Sequence, residues 1–347
     1  MTLPGLSCYN KKSQQQYIGR VSASAIKQPT DEGRRHMNGL RLLGAGYALP
    51  KNVLDNEAMT KYVETSDEWI TTRTGIRQRY FCGEGENTTT LAIEAAKKAL
   101  ADSGVAKEEI GCVIVATSSG EYSMPSTACL VHKALELNEN IPVFDLGAAC
   151  AGFLYAADTA RAMLLAHGGE YALVVGAEQM SHVLDMSDRN TCVLFGDAAG
   201  AAVFAIEEDA EYAYVCGTRG DLAIQVGGPR REMPMTMEGQ NVFRFAVSTI
   251  PATVTQLLEK TGKTLEDVDW VICHQANQRI IDASVRKLGV PVEKFYKNLD
   301  RYANTSAASV PLAIAEMKES GKLVSGQRVI MCGFGGGLTW AGVMMTV

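Results

Sequence analysis

Two stretches of this sequence match closely enough to fix most of what the chain can fold into. "LADSGVAKEEIGCVIVATSS" from Leu100 and "LEKTGKTLEDVDWVICHQAN" from Leu258 align without a gap over about twenty residues, at a constant offset of 158. In both, a helix end, a glycine, an acidic turn and an apolar strand follow in register. Any two βα units share such parts, and the unbroken register is what marks a duplication. A looser match pairs "YALVVGAE" with "QRVIMCGFGGG". The chain therefore reads as two copies of one unit packed face to face. The expected division is 1–38 as an N-terminal extension, then halves at 39–209 and 210–347.

Local patterns point the same way. "LRLLGAGYAL" reads as a strand, "TTLAIEAAKKALADSG" as a helix stopped by Gly104, and "CVIVATS" as a short buried strand rich in β-branched residues. A helix follows Cys150 to about Ala166, and "YALVVGAE" and "GAAVFAIE" are further strands. This alternation predicts an α/β fold with largely buried sheets.

Composition excludes several classes. No run approaches eighteen consecutive apolar residues, so no membrane span is expected. A net charge of −6 and a pI near 5.5 argue against a nucleic-acid partner. Nine cysteines, an odd number with no C-x-x-C pair, fit free thiols in a reducing cytoplasm better than disulfides or a metal site. The first 36 residues lack periodicity and the apolar core of a secretory signal. They fit a disordered leader added for expression or an extension upstream of a natural start at Met37, with a weak transit peptide as a third reading.

Chemistry concentrates at three places. In "DLGAACAGFLYAADTA", Cys150 sits among small residues directly before a helix, whose unsatisfied N–H groups and dipole favour a thiolate. Gly147 and Gly152 permit a sharp turn and close approach by a substrate. As plain filler, a small buried cysteine is unremarkable, and that reading covers most of the other eight. In "VICHQANQR", His274 ends a buried strand, where open α/β sheets hold their sites, although a lone histidine there is more often a hydrogen-bonded core residue. Cys273 and His274 are adjacent on that strand and point to opposite faces, so they cannot easily share a metal. In "LDRYANTSAASVPLAIAEM", Asn304 precedes a Ser/Thr-capped helix and is a cap candidate. "GFGGGL" fails the G-x-G-x-x-G pattern at Leu338, which disfavours a dinucleotide site.

Six ordered motifs, "TSDEWITTRTGI", "DLGAACAGF", "SDRNTCVLFGDAAGA", "HQANQRI", "NTSAASVPLA" and "GFGGGLTW", resemble β-ketoacyl-acyl-carrier-protein synthase III, a condensing enzyme of the thiolase superfamily. The resemblance spans Leu40 to Val347. It implies a five-layered α/β/α/β/α sandwich of two duplicated halves, and Cys150, His274 and Asn304 as a catalytic triad. The implied reaction transfers an acyl group, expected to be acetyl, from acyl-CoA to Cys150. Malonyl-acyl carrier protein (malonyl-ACP) then loses carbon dioxide and condenses to 3-oxoacyl-ACP, which initiates fatty acid synthesis. No metal or cofactor is implied, because the CoA thioester is a substrate.

Further roles follow from the same resemblance. Backbone amides of Cys150 and Gly336 would form an oxyanion hole. Trp69, Arg73 and Arg189 would hold the CoA adenine and phosphates, while Phe243, Asn277 and Arg279 would line the pantetheine tunnel. Arg244, Arg279, Arg286 and Lys287 would dock the acidic carrier protein, the bland reading of each being a solvated charge. Met124 would reach the tunnel of a partner subunit in a homodimer. The segment "GDLAIQVGGPRREMPMTMEGQNVF" is shorter than the resemblance leads one to expect, which leaves the lid and primer choice open.

Other readings are separable. A synthase III-like ketosynthase of secondary metabolism, using an unusual acyl-CoA or a non-ACP acceptor, shares every motif. A degradative thiolase would use a second cysteine near the glycine loop, for which Cys332 is the candidate. A non-catalytic binding module would not need all three triad residues, and a papain-like hydrolase lacks its local signatures here.

Overall fold

Gly104 and Gly262, which are in register across the repeat, each end a helix in the left-handed conformation, at φ 67° and 68°. A side chain would be strained there, so the glycine sets the stop. The acidic turns that follow are both single 3-10 turns, Lys107–Glu109 and Leu265–Asp267, and both lead into buried strands. The repeat read from the sequence is thus a repeat of backbone geometry.

The computed structural model describes residues 38–227 and 233–347. The expectation for the N-terminal extension lies outside these residues, Asn38 excepted. The chain runs β1 (Gly39–Ala48), β2 (Asn52–Asp55), α1 (Asn56–Met59), α2 (Asp67–Thr74), β3 (Gln78–Phe81), α3 (Thr88–Ser103), β4 (Ile110–Ala116), α4 (Thr127–Leu135), β5 (Val143–Leu146), α5 (Gly152–His167), β6 (Tyr171–Glu178) and β7 (Ala198–Glu207). It continues through β8 (Tyr212–Asp221), β9 (Ile224–Gly227), β10 (Met233–Met237), α6 (Gly239–Thr261), β11 (Trp270–Cys273), α7 (Gln278–Leu288), α8 (Leu299–Tyr302), α9 (Ser309–Glu319), β12 (Arg328–Gly335) and β13 (Gly337–Thr346).

Two mixed sheets organise these elements. The first has the order β1-β7-β6-β4-β5, with β4 parallel to β5 and β6, and with β7 antiparallel to β6 and β1. The second has the order β11-β12-β13-β8, with β11 parallel to β12 and the other pairs antiparallel. These are one topology used twice, in which β4, β6, β7 and β1 correspond to β11, β12, β13 and β8. The fifth position survives in the second sheet as a single parallel bridge, Val271 to Phe295, in register with Val113 to Val143 of the first.

Helices α3 and α4 cover the outer face of the first sheet, α5 and α9 lie between the sheets, and α6 with α7 covers the second. This is the five-layered sandwich. Where a helix is enclosed by both sheets no face is turned to water, so its side chains must be apolar, small or, as with Glu316, hydrogen-bonded. Accordingly, every residue of α9 from Ser309 to Met317 is buried. Phe153 of α5 meets Phe204 of β7 at 6.3 Å between ring centroids in that central layer. Burying side chains of this size stabilises the layer by roughly 2–3 kcal/mol each. Residues Asn38–Val347 form one compact unit.

Candidate active site

The two sheets bring a pair of matched turns together at their centre. After β5 the chain passes Gly147 and makes a 3-10 turn, Ala149–Ala151, that runs directly into α5. In the second copy the turn Ser306–Ala308 runs directly into α9. Both turns begin on a non-glycine residue in the left-handed region, Ala149 at φ 47° and Ser306 at φ 50°. Each such residue costs about 1–3 kcal/mol and persists only where its surroundings impose it. The central strands make room for the turns with glycines. A Cβ on Gly335 would lie 2.5 Å from the Cys150 nitrogen, and one on Gly176 would lie 2.2 Å from the Ala307 carbonyl oxygen.

A cavity of about 490 Å³ opens where the turns meet. Cys150, His274 and Asn304 all line it, together with Ser306, Gly336 and Phe243. The β9–β10 hairpin walls one side with Ile224, Val226, Met235 and Met237. Residues 228–232, part of the segment whose shortness left the lid open in the sequence reading, lie outside the described residues. Met180, Phe195 and Met235 form an apolar cluster on the cavity wall.

Hydrogen bonds orient the two polar side chains from the second copy. His274 is 1% exposed, and its Nδ1 lies 3.0 Å from Ser309 Oγ. That oxygen already accepts the Gln275 amide at 2.8 Å, so the hydroxyl proton is available to donate to Nδ1. We assign the tautomer in which Ser309 donates, which carries the imidazole proton on Nε2. Burial lowers the imidazole pKa to about 3, and the ring is therefore neutral at ordinary pH. Asn304 Oδ1 accepts the Ser306 amide at 2.9 Å. Only the oxygen can accept an N–H, so Nδ2 is left as a donor on the cavity side. Asn304 is not a helix cap: its backbone bridges Phe195, and α9 has no side-chain cap, in contrast to the Ser/Thr cap expected from the sequence.

The nucleophile departs from expectation in one respect. Cys150 keeps some exposure to the cavity, but burial of its sulfur pushes the thiol up to about 12. The contact with Ser306 and its own amide pull in the other direction, and the charge of Glu178 pushes the same way as burial. The α5 terminus thus does not keep a resident thiolate in this pocket, because desolvation dominates. The thiol lies 3.4 Å from Ser306 Oγ, and Ser306 donates in turn to Glu178 Oε1 at 3.0 Å.

The remaining residues named from the sequence fall into separate groups. Trp69, Arg73 and Arg189 come together away from the cavity lining, with guanidinium carbons 4.5 Å and 4.8 Å from the indole centroid. Asn277 lines the cavity and caps α7, and its Nδ2 donates to the Arg73 carbonyl, tying the group to the cavity rim. Arg279 lies over the Phe243 ring at 5.5 Å. Arg279 and Arg286, seven residues apart on α7, share a face. Arg244, Arg279, Arg286 and Lys287 are all exposed, and the last two also complement the C-terminal dipole of α7. Met124 is 86% exposed and lines no part of this cavity. Cys332 and Cys273 are fully buried strand neighbours outside the cavity, so no second cysteine faces Cys150 there. Among the described residues no group of three or more His, Cys, Asp or Glu side chains could hold a metal.

Four contributors escaped the sequence reading. Ser309 and Ser306 sit in a Ser/Ala run that looks like helix-start composition. Gln275 is 1% exposed and donates to the carbonyls of Cys273 and Tyr296 while accepting the Asn298 amide. It thereby pins the end of β11 where His274 must stand. Glu178, the last residue of β6, is fully buried behind Ser306, and the one available signal was a carboxylate closing an otherwise apolar strand.

Comparison with known proteins is consistent across sequence and fold. Residues 144–220 match the family model for 3-oxoacyl-[acyl-carrier-protein (ACP)] synthase III, and residues 258–347 match that for its C-terminal part. A β-ketoacyl-[acyl-carrier-protein] synthase III of Rhizorhabdus wittichii is 43% identical over 308 residues, covering 86% of this chain and 96% of its own length. The crystal structure of 3-oxoacyl-[acyl-carrier-protein] synthase III from Aquifex aeolicus has a TM-score of 0.84 at 42% identity, over 89% of this chain and 100% of that one. The priming β-ketosynthase of the R1128 polyketide biosynthetic pathway reaches 0.84 at 33% identity, over 91% and 98%.

Proposed function

This chain belongs to the β-ketoacyl-[acyl-carrier-protein] synthase III family, and on that premise we propose how its cavity performs the condensation. The enzyme is an acyltransferase that joins an acyl-CoA primer, acetyl-CoA in our reading, to malonyl-ACP. Carbon dioxide is lost, and the 3-oxoacyl-ACP product starts fatty acid synthesis. The observation that supports this reading best is the orientation of donors around one nucleophile. Cys150, His274 and Asn304 share a cavity, and the hydrogen bonds of Ser309 and Ser306 leave Nε2–H and Nδ2–H free to face it.

In the first stage the Cys150 sulfur attacks the thioester carbonyl, a carbon–sulfur bond forms, and CoA leaves. The amides of Cys150 and Gly336 hold the transient oxyanion. In the second stage malonyl-ACP loses carbon dioxide and negative charge builds on its thioester oxygen. His274 Nε2–H and Asn304 Nδ2–H stabilise that charge, each such donor being worth about 3 kcal/mol. A neutral imidazole suits this role, since it donates without having to be charged first. The carbanion then attacks the acyl-cysteine, forming the new carbon–carbon bond and releasing the Cys150 sulfur. No cofactor takes part in this scheme.

CoA binds along the Asn277 rim, with Trp69 and Arg73 at the adenine. Arg189 belongs to the same group, and because the Arg73 and Arg189 guanidiniums both lie over the indole, at 4.5 Å and 4.8 Å, a purine stacks on Trp69 only when one of them swings aside. Arg244, Arg279, Arg286 and Lys287 on neighbouring α6 and α7 receive the acidic carrier protein. Met124, exposed here, fits a role in the tunnel of a second copy in a cytoplasmic homodimer, and the two halves join at 209/210. Intact-protein mass spectrometry after incubation with a panel of acyl-CoAs tests the scheme. An acyl adduct on Cys150, absent from Cys150→Ala, is expected, whereas an adduct that persists in Cys150→Ala contradicts it.

A further inference from the structure

Glu178 is a fully buried carboxyl group with no part in the scheme above, and it stands two hydrogen bonds from the nucleophile. We propose that Glu178, acting through the Ser306 hydroxyl, takes the thiol proton of Cys150 during acylation and returns it to the sulfur after condensation. The inference rests on Cys150 being the acylated residue. Its geometry is a continuous line: Cys150 Sγ to Ser306 Oγ at 3.4 Å, and Ser306 Oγ to Glu178 Oε1 at 3.0 Å.

The Cys150 thiol makes its hydrogen bond to Ser306, whereas the His274 ring bonds Ser309 and, in the tautomer assigned above, turns Nε2–H rather than a lone pair to the cavity. Cys150 holds a protonated thiol at rest and must lose that proton to become a nucleophile. The groups around Glu178 are built to let its charge come and go. Oε2 takes the Ser118 amide and the hydroxyls of Ser119 and Thr117, which favour the carboxylate. Burial opposes them and prevails, raising the carboxyl above its ordinary range. The titratable group facing it is Cys150, across Ser306. The nearby carboxylates have partners of their own, Asp197 with Ser181 and the Cys82 amide, and Glu121 with Thr89.

The proton balance closes. As sulfur attacks, its proton passes to Ser306 Oγ while the Ser306 proton passes to Glu178. CoA leaves as a thiolate and takes a proton from water. After the carbanion attacks the acyl-cysteine, the released sulfur recovers its proton from Glu178 by the same path. The net proton consumed by the reaction is the one taken up by CoA. Ser306 touches the reacting sulfur, and Glu178 acts through it as a positioning and proton-holding residue.

The test is single-turnover acylation of Cys150 by labelled acetyl-CoA across pH, in wild type, Glu178→Gln, Glu178→Asp and Ser306→Ala. Wild type should be flat near neutrality and fall on the acid side as Glu178 protonates. Glu178→Gln and Ser306→Ala should each slow acylation by ~100-fold or more at neutral pH and rise steadily with pH, with the acid limb gone and KM for acetyl-CoA little changed. Glu178→Asp should restore part of the rate and the acid limb. Should Glu178→Gln fail to fold, Ser306→Ala carries the same pH signature. An acid limb that persists in the variants, or a defect that does not respond to pH, overturns the relay. Wild type that takes no label on Cys150 refutes the enzyme reading itself instead.

Discussion

The two copies of the repeat share a backbone and divide the chemistry. Ala116, at the end of β4, occupies the register of His274, and the start of α5 at Gly152 occupies the register of Ser309. In the first copy the pair is a bare contact, for a Cβ on Gly152 would sit 3.0 Å from that of Ala116. In the second copy it is the His274–Ser309 hydrogen bond. At the ends of β6 and β12 the division reverses, Glu178 in the first copy standing where the second has Gly335. The turns also differ: Ser306 corresponds to Ala149, and Ala307 to Cys150. Because these turns pack against one another, the site has room for one set of polar groups. A second buried set without partners would cost about 1–3 kcal/mol per group. Duplication supplied the frame, and each copy was emptied where the other was loaded.

This contrast can be broken first through the glycines that admit the turns. Gly176 and Gly333 correspond, but a Cβ on Gly176 meets the Ala307 oxygen at 2.2 Å, while one on Gly333 has ordinary contact at 3.4 Å with the Cys150 carbonyl. Gly176→Ala should lose roughly 3 kcal/mol in denaturant unfolding. Gly333→Ala should stay within about 1 kcal/mol of wild type. Equal losses would mean that the two turns are equally crowded and that the packing asymmetry is wrong.

A smaller effect is expected at the loaded register. Ser309→Ala leaves His274 Nδ1 without its donor and lets the tautomer drift. Malonyl decarboxylation should fall about tenfold, the equivalent of one buried hydrogen bond, with acylation of Cys150 little affected. A loss confined to acylation would assign Ser309 to the wrong half of the cycle. The smallest effect is an absence of change. With the imidazole pKa lowered to about 3, His274 should stay neutral, and decarboxylation should show no His-dependent inflection between about pH 5 and 8. An inflection near the ordinary histidine pKa, lost in His274→Ala, would contradict the buried neutral ring.

What could be read from the sequence was whatever leaves a local period or a spacing. Strand β6 matches its reading residue for residue, Gly104 stops α3 as expected, and the repeat register survives down to its two 3-10 turns. Cys150, His274 and Asn304 were nameable because each lies in a distinctive motif. The support beneath them was not, because it is assembled across the sheets. Ser306 meets Glu178 over 128 positions, and its serine looks like any helix-start residue. The thiol pKa was misjudged for a related reason: the helix terminus is visible in the sequence, whereas the desolvation that outweighs it depends on the opposite copy closing over the sulfur.

The division of labour between the copies is tested most directly by His274→Ala, loaded with labelled acetyl-CoA in a single turnover and then challenged with malonyl-ACP. Label should enter Cys150 at close to the wild-type rate and remain there, with release into 3-oxoacyl-ACP slowed by ~100-fold or more. Failure of this variant to take up label, or release at the wild-type rate after full loading, would contradict the assignment of His274 to the second stage.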